Sequence, residues 1–305
     1  MPFANCQPVM YNVHMSGHFA DDLTAAITDK HAPVCVGLDP SYDRLPASIR
    51  EAHGDDRVGA IREFCTEVLQ TVAPIVPAVK PQIAYFEVHH GPGVELYFDM
   101  VELARDTGLI VIGDIKRSDI GSTAQAYARA HLSGEKCPDA VTVNGYLGAD
   151  GLEPFIAEGN AGGKGIFVLV RTSNPSGATV QDFADASGKK LYQHMAAQVA
   201  ALGQGSVGAS GYSRVGAVVG ATYPDEAREL REMMPEQIFL VPGYGAQGAT
   251  AADCAASFKP DGTGAVVNAS RSVIYAFDKN PDVDWRQAVA QAANDFATDL
   301  ASAVF

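Results

Sequence analysis

The chain predicts a (β/α)8 TIM barrel built as one domain, and three observations carry that reading. Eight short apolar runs recur along its 305 residues, and helical patterning separates them. Parallel strands need helical crossovers of this kind, and a count of eight favours a closed barrel over an open doubly wound sheet. No internal repeat, low-complexity tract or long linker divides the chain. The 30 Gly and 17 Pro recur at the short intervals that many tight turns require.

Residues 1–17 show no periodicity and read as a flexible N-terminal arm, with Met15 an alternative start; the barrel is assigned to 18–305. Helical patterning begins at 19–27. The run 32–39 is the first strand, broken by Pro40, and a polar loop insertion follows to about Arg57. Residues 58–72 are helical, with Ile61, Phe64, Cys65, Val68 and Leu69 on one face. Residues 75–81 form the second strand, and 93–107 a helix with Leu96, Met100 and Leu103 in one stripe. Strand three covers 109–114, and its helix 118–132. Strand four is 140–144, with a short helix over 148–158. Strand five, 165–171, leads into a second insertion at 172–190 and a helix over 190–202. A third insertion, 203–213, precedes strand six at 215–221. The next helix covers 224–234, and Pro224 opens it in the first turn, where proline is tolerated. Strands seven and eight are 238–241 and 265–268, with short helices near 249–258 and 272–276. Residues 285–304 form a terminal helix.

Hydrophobic residues make up 47% and charged residues 19%, enough to build a large core. A net charge of -14 argues against nucleic acid and anionic membrane as partners. The five cysteines are scattered and no CxxC occurs, so neither a disulfide framework nor a zinc knuckle is expected and a reducing cytoplasm fits best. No run reaches the roughly 18 apolar residues of a membrane span, and no signal-peptide pattern is visible.

Barrel chemistry is located at the carboxyl ends of the strands. Those ends present Asp39, Lys80, Asp114, Lys116, Asp119, Asn144 and Arg171. Alternation along strand three sends Asp114 and Lys116 to the same side. Opposite charges there are costly unless paired. After strand seven comes Pro242-Gly243-Tyr244-Gly245-Ala246-Gln247-Gly248, and after strand eight Asn268-Ala269-Ser270-Arg271. Glycine backbone, helix starts and a guanidinium fork suit a phosphate held between these loops. Gly245, Ser270 and Arg271 in these loops, and Asn144 at the end of strand four, are candidate substrate-binding residues. Tyr244 either lines that loop or packs. His89-His90 reads as a loop pair, Arg117 as a structural partner, and Trp285 as a packing anchor.

The segment DIKRSDIGST resembles the DxKxxDIxxT signature of the orotidine 5′-phosphate decarboxylase family. CVGLDP, VKPQIAYFE, the serine-proline loop after strand five, PGYGAQG and NASRS fall in that family's order. The chain length, VTVNGYLG and NASR resemble its larger bacterial, type 2 subgroup. The resemblance runs from about residue 32 to 276. It implies cofactor-free decarboxylation of orotidine 5′-phosphate, with no metal, by an alternating network of Lys80, Asp114, Lys116 and Asp119. It further implies a homodimer in which Asp119 and Thr123 enter the neighbouring subunit's site. Asp39, Lys80 and Thr123 would hold the ribose, Ser173 the pyrimidine, and Gln247 and Arg271 the phosphate. The DxKxxD part alone is shared with metal-dependent sugar-phosphate decarboxylases and aldolases on the same scaffold. That activity and a non-catalytic nucleotide-binding barrel are the rival expectations.

Overall fold

The computed structural model describes residues 16–245 and 248–305. The expected arm over 1–17 thus lies outside the described residues except for Ser16 and Gly17, and so does Gln247. The strands are β1 (Val34–Leu38), β2 (Ala78–Pro81), β3 (Ile110–Arg117), β4 (Ala140–Val143), β5 (Gly165–Arg171), β6 (Ser213–Val219), β7 (Gln237–Pro242) and β8 (Ala265–Ala269). All pair in parallel with their sequence neighbours, and β1 closes the ring on β8 through Val34↔Val267 and Cys35↔Asn268.

The helices in chain order are α1 (Phe19–Lys30), α2 (Ala47–His53), α3 (Arg57–Val72), α4 (Ala84–Glu87), α5 (His90–Asp106), α6 (Gly121–Leu132) and α7 (Ala149–Gly162). They continue with α8 (Ala178–Gln181), α9 (Leu191–Gly203), α10 (Pro224–Met233), α11 (Ala251–Ala255), α12 (Arg271–Ile274) and α13 (Trp285–Val304). The strands' two-residue period sorts their side chains. Cys35, Ala78, Ile110, Ile112, Ala140, Phe167, Val218, Leu240 and Val266 fill the barrel. Val36, Val79, Val111, Val141, Val143 and Val168 face the helices. Helix α1 covers the amino-terminal end: Phe19 meets Phe167 edge-on at 5.6 Å. Burying one such side chain is worth about 1.5–3 kcal/mol. Cys35 and Cys65 are buried packing residues, and Trp285 anchors α13 against Phe64 and Phe277. Among the described residues no helix is long and apolar enough to cross a membrane.

Three sequence expectations need correction. The polar loop before Arg57 contains α2, whose only buried residue is Ile49, so no apolar period advertised it. His89 and His90 are not in a loop: they open α5, with Pro92 in the first turn, where its missing N–H costs nothing. Strand β3 runs on to Arg117 and α6 starts only at Gly121, leaving Ser118, Asp119 and Ile120 as the connection.

Candidate active site

A cavity of about 440 Å³ opens at the carboxyl ends of the strands, a volume suited to a small organic ligand. Its floor is the last inward-facing layer of the barrel. Ala78 and Lys80 share one parity in β2, as do Ile110, Ile112 and Asp114 in β3. Lys80 and Asp114 therefore meet inside: Lys80 Nζ lies 2.7 Å from Asp114 Oδ2, with each side chain 7% exposed. Lys116 Nζ reaches the other oxygen, Oδ1, at 2.5 Å, and its side chain stays 46% exposed toward the mouth.

The electrostatics follow from this sharing. Burial would push the Asp114 carboxyl up, but the two ammonium groups outweigh it and hold it well below the usual carboxylate range. Burial would likewise depress Lys80, yet Asp114, and Asp39 behind it, raise it above an ordinary lysine. The arrangement holds two cations against one fully ionised carboxylate, with the more exposed cation turned to the cavity.

Asp39 lies on the cavity wall, and its Oδ1 is buried without a hydrogen-bond partner. The loop bearing it is held by Tyr275, whose hydroxyl donates to Asp39 O at 3.0 Å and accepts from the Ser41 N–H at 2.7 Å. Beside Asp39 stand Ser270 and Arg271, which follow the neighbouring strand β8, and across the mouth is Ser173, at the start of the β5 loop. A Cβ on Gly37 would fall 1.8 Å from Ser270 Oγ and 2.8 Å from its Cβ. Only glycine lets the β8 end approach β1 this closely. Tyr244 does both things expected of it. It lines the cavity, while its ring lies 4.8 Å from Phe296 and its hydroxyl donates to Asp299 at 2.6 Å.

The structure thus brings together Asp39, Lys80, Asp114, Lys116, Ser173, Ser270 and Arg271. It does not bring Asn144 into the cavity wall: the side chain accepts the Tyr146 N–H at 3.0 Å and caps a turn. Asp119 and Thr123 are also off the wall; Asp119 Oδ1 accepts the N–H of Ile120. Gly245 is exposed beside the wall rather than part of it. Arg171 turns away from the mouth. A register shift between Leu169 and Arg171 takes it off the inward parity. It is buried between the Tyr192 and Tyr223 rings, 2.9 Å from Asp182 in the β5 loop. Arg117 pairs outward with Glu87, as a structural partner should.

Of the wall residues not singled out from the sequence, Thr142 and Asn268 are the buried polar ones. Thr142 is buried and donates to Asp114 Oδ1 at 2.8 Å. Asn268 is buried with its Oδ1 unpartnered. A signal for both existed: each is the polar residue at inward parity in an otherwise apolar strand, two positions after Ala140 and Val266.

Residues 32–287 match the orotidine 5′-phosphate decarboxylase / HUMPS family. The chain is 44% identical over 290 residues to the orotidine 5′-phosphate decarboxylase of Rhodopirellula baltica, across 90% of this chain and 96% of that one. Identity to the Deinococcus radiodurans orotidine 5′-phosphate decarboxylase is 41% over 283 residues, across 92% and 97% of the two chains. Among solved structures, a Toxoplasma gondii chain superimposes with a TM-score of 0.82 at 31% identity, covering 94% of this chain and 96% of that one. The OMP decarboxylase of Leishmania donovani superimposes with a TM-score of 0.74 at 27% identity, covering 94% and 99%.

Proposed function

The chain belongs to the orotidine 5′-phosphate decarboxylase / HUMPS family, and we infer that it decarboxylates orotidine 5′-phosphate to uridine 5′-phosphate and CO2, the last step of de novo UMP synthesis. The observation that carries the mechanism is the single buried carboxylate of Asp114 shared by two lysines, one of them facing the cavity.

Breaking the bond between C6 and the carboxylate leaves its electron pair on C6, a vinylic carbanion with no adjacent electron sink. Lys116 supplies a fixed cation beside that charge and then the proton that C6 takes up. Asp114 holds the Lys116 ammonium in place at 2.5 Å, and Lys80 helps keep Asp114 ionised. A charge pair at 4 Å contributes about 4 kcal/mol at an effective dielectric of 20, against barrier reductions of up to about 23 kcal/mol in most enzymes. The lysine therefore acts together with remote binding energy: Arg271, Ser270 and Gln247 on the phosphate, Asp39 and Lys80 on the ribose, and Ser173 on the pyrimidine. Both oxygens of Asp114 are taken by ammonium groups, which leaves it poorly disposed to ligate the hard cation that a metal-dependent sugar-phosphate enzyme would use.

Asp119 and Thr123 complete the site of a second copy in this reading, and the chain works as a homodimer. Exposed Val88, Ile120, Tyr146 and Leu147 lie on the connections flanking Asp119 and supply apolar surface for such an interface. A cytoplasmic location agrees with four buried, free cysteines among the described residues.

The test is turnover: purified chain mixed with orotidine 5′-phosphate should bleach the orotidylate absorbance at an unchanged rate in excess EDTA. A folded dimer without turnover would refute the assignment, and magnesium-dependent activity on a ketose phosphate would favour the sugar-phosphate reading.

A further inference from the structure

Lys116 is one of three non-glycine residues in the described chain with positive φ, at 45°. L-residues rarely adopt this conformation, and it is held only where the surroundings fix it. Its cause is visible in the sheet. The β3/β4 register steps from Gly113↔Val141 to Arg117↔Val143, so four residues of β3 span what two residues of β4 cover. The surplus is a bulge over Asp114, Ile115 and Lys116. A bulge breaks the ladder and leaves backbone groups in need of other partners.

Thr142 provides one. Its Oγ1 accepts the Lys116 N–H at 3.0 Å, and its O–H donates to Asp114 Oδ1 at 2.8 Å. One buried hydroxyl thus ties the strained backbone of Lys116 to the same carboxylate oxygen that Lys116 Nζ grips. The two bonds run in opposite senses, so the hydroxyl is fully oriented. With the backbone pinned and the ammonium held, the lysine stem is fixed at both ends.

We propose that Thr142 is a positioning residue for the reaction: it holds the bulge that carries Lys116 and thereby sets where the ammonium meets C6. Its hydroxyl acts through Lys116 and Asp114, without itself transferring a proton to the substrate. The inference rests on the role assigned to Lys116 above.

Thr142→Val keeps the shape and removes the hydroxyl, whereas Thr142→Ser keeps the hydroxyl and removes a methyl. Loss of a charge-assisted hydrogen bond at a reacting group lowers kcat by about 10- to 100-fold in Thr142→Val, with KM and affinity for uridine 5′-phosphate within about threefold of the unmodified chain. Thr142→Ser should recover most of that loss. An unchanged kcat in the valine variant would overturn the proposal. So would a serine variant as slow as the valine one, since packing and not the hydroxyl would then matter. If the valine chain fails to bind nucleotide, Thr142→Ala and Thr142→Ser decide the case by the same comparison, and an alanine variant with the serine variant's kcat overturns it. These outcomes are separate from failure of the functional assignment, because that would appear as absence of turnover in the unmodified chain.

Discussion

Replacing Asp114 by Asn removes one charge and almost no volume. It leaves Lys80 buried, faced by Lys116 across an amide, with Asp39 as the remaining carboxylate in its field. Two unit charges at the observed 2.7 Å attract by about 6 kcal/mol at an effective dielectric of 20, a gross figure from which desolvation must be subtracted. Breaking a buried pair by removing one partner costs about 3–5 kcal/mol. A second limit comes from the lysine itself. Discharging a group of unperturbed pKa about 10.4 at pH 7 costs about 5 kcal/mol, so the variant cannot lose much more than that through Lys80. We expect Asp114→Asn to lose about 3–5 kcal/mol, near the upper end of single-substitution effects.

The pH dependence separates this cause from a general packing defect. In the unmodified chain, Asp114 contributes stability that is present above a carboxylate's unfolded pKa and lost as pH falls through its lowered folded value. Lys80 contributes stability that is present below the unfolded lysine pKa and lost as pH rises through its raised folded value. Between about pH 5 and 9 these two groups add no slope. In the variant, Lys80 has a lowered folded pKa, so the unfolded chain binds more protons than the folded one as pH rises above that value. The deficit should therefore shrink between about pH 7 and 10. Urea unfolding at several pH values and one fixed protein concentration measures it, because the apparent stability of the proposed dimer would depend on concentration. A loss under about 1 kcal/mol at pH 7, or a deficit that stays constant with pH, would refute the reasoning.

Other predictions test the site more directly. Lys116→Ala should abolish decarboxylation while uridine 5′-phosphate still binds by calorimetry; substantial residual turnover would remove the lysine from the proton-donor role. A Lys116→Ala chain mixed with an Asp119→Ala chain should regain activity, since under the proposed shared-site arrangement each mixed dimer would contain one intact site. Mixed dimers that form, by mass spectrometry, and remain inactive would reject the shared site. Gly37→Ala places a methyl against both side-chain atoms of Ser270, so the β8 end must shift; KM should rise by about tenfold or more, whereas an unchanged KM would mean that this wall does not touch substrate.

The sequence alone was enough for the barrel and for much of its mouth. Eight apolar runs at helical separation determine strand number, and strand ends are local features, so Asp39, Lys80, Asp114 and Lys116 could be placed there from spacing. Side-chain direction was less secure, because it depends on the partner strand. Simple alternation put Asp114 and Lys116 on one side, and they do converge, but through a bulge and a left-handed backbone at Lys116. The same logic failed for Arg171, whose strand slips register against β6 and sends it between two tyrosines. It also missed Thr142, because a threonine in an apolar strand reads as an ordinary β-former until its neighbours are known. Local periodicity determines which elements form and where they end. Register, bulges and the sharing of one carboxylate among Lys80, Lys116 and Thr142 arise only when distant strands pair, and those pairings decided the geometry of the site.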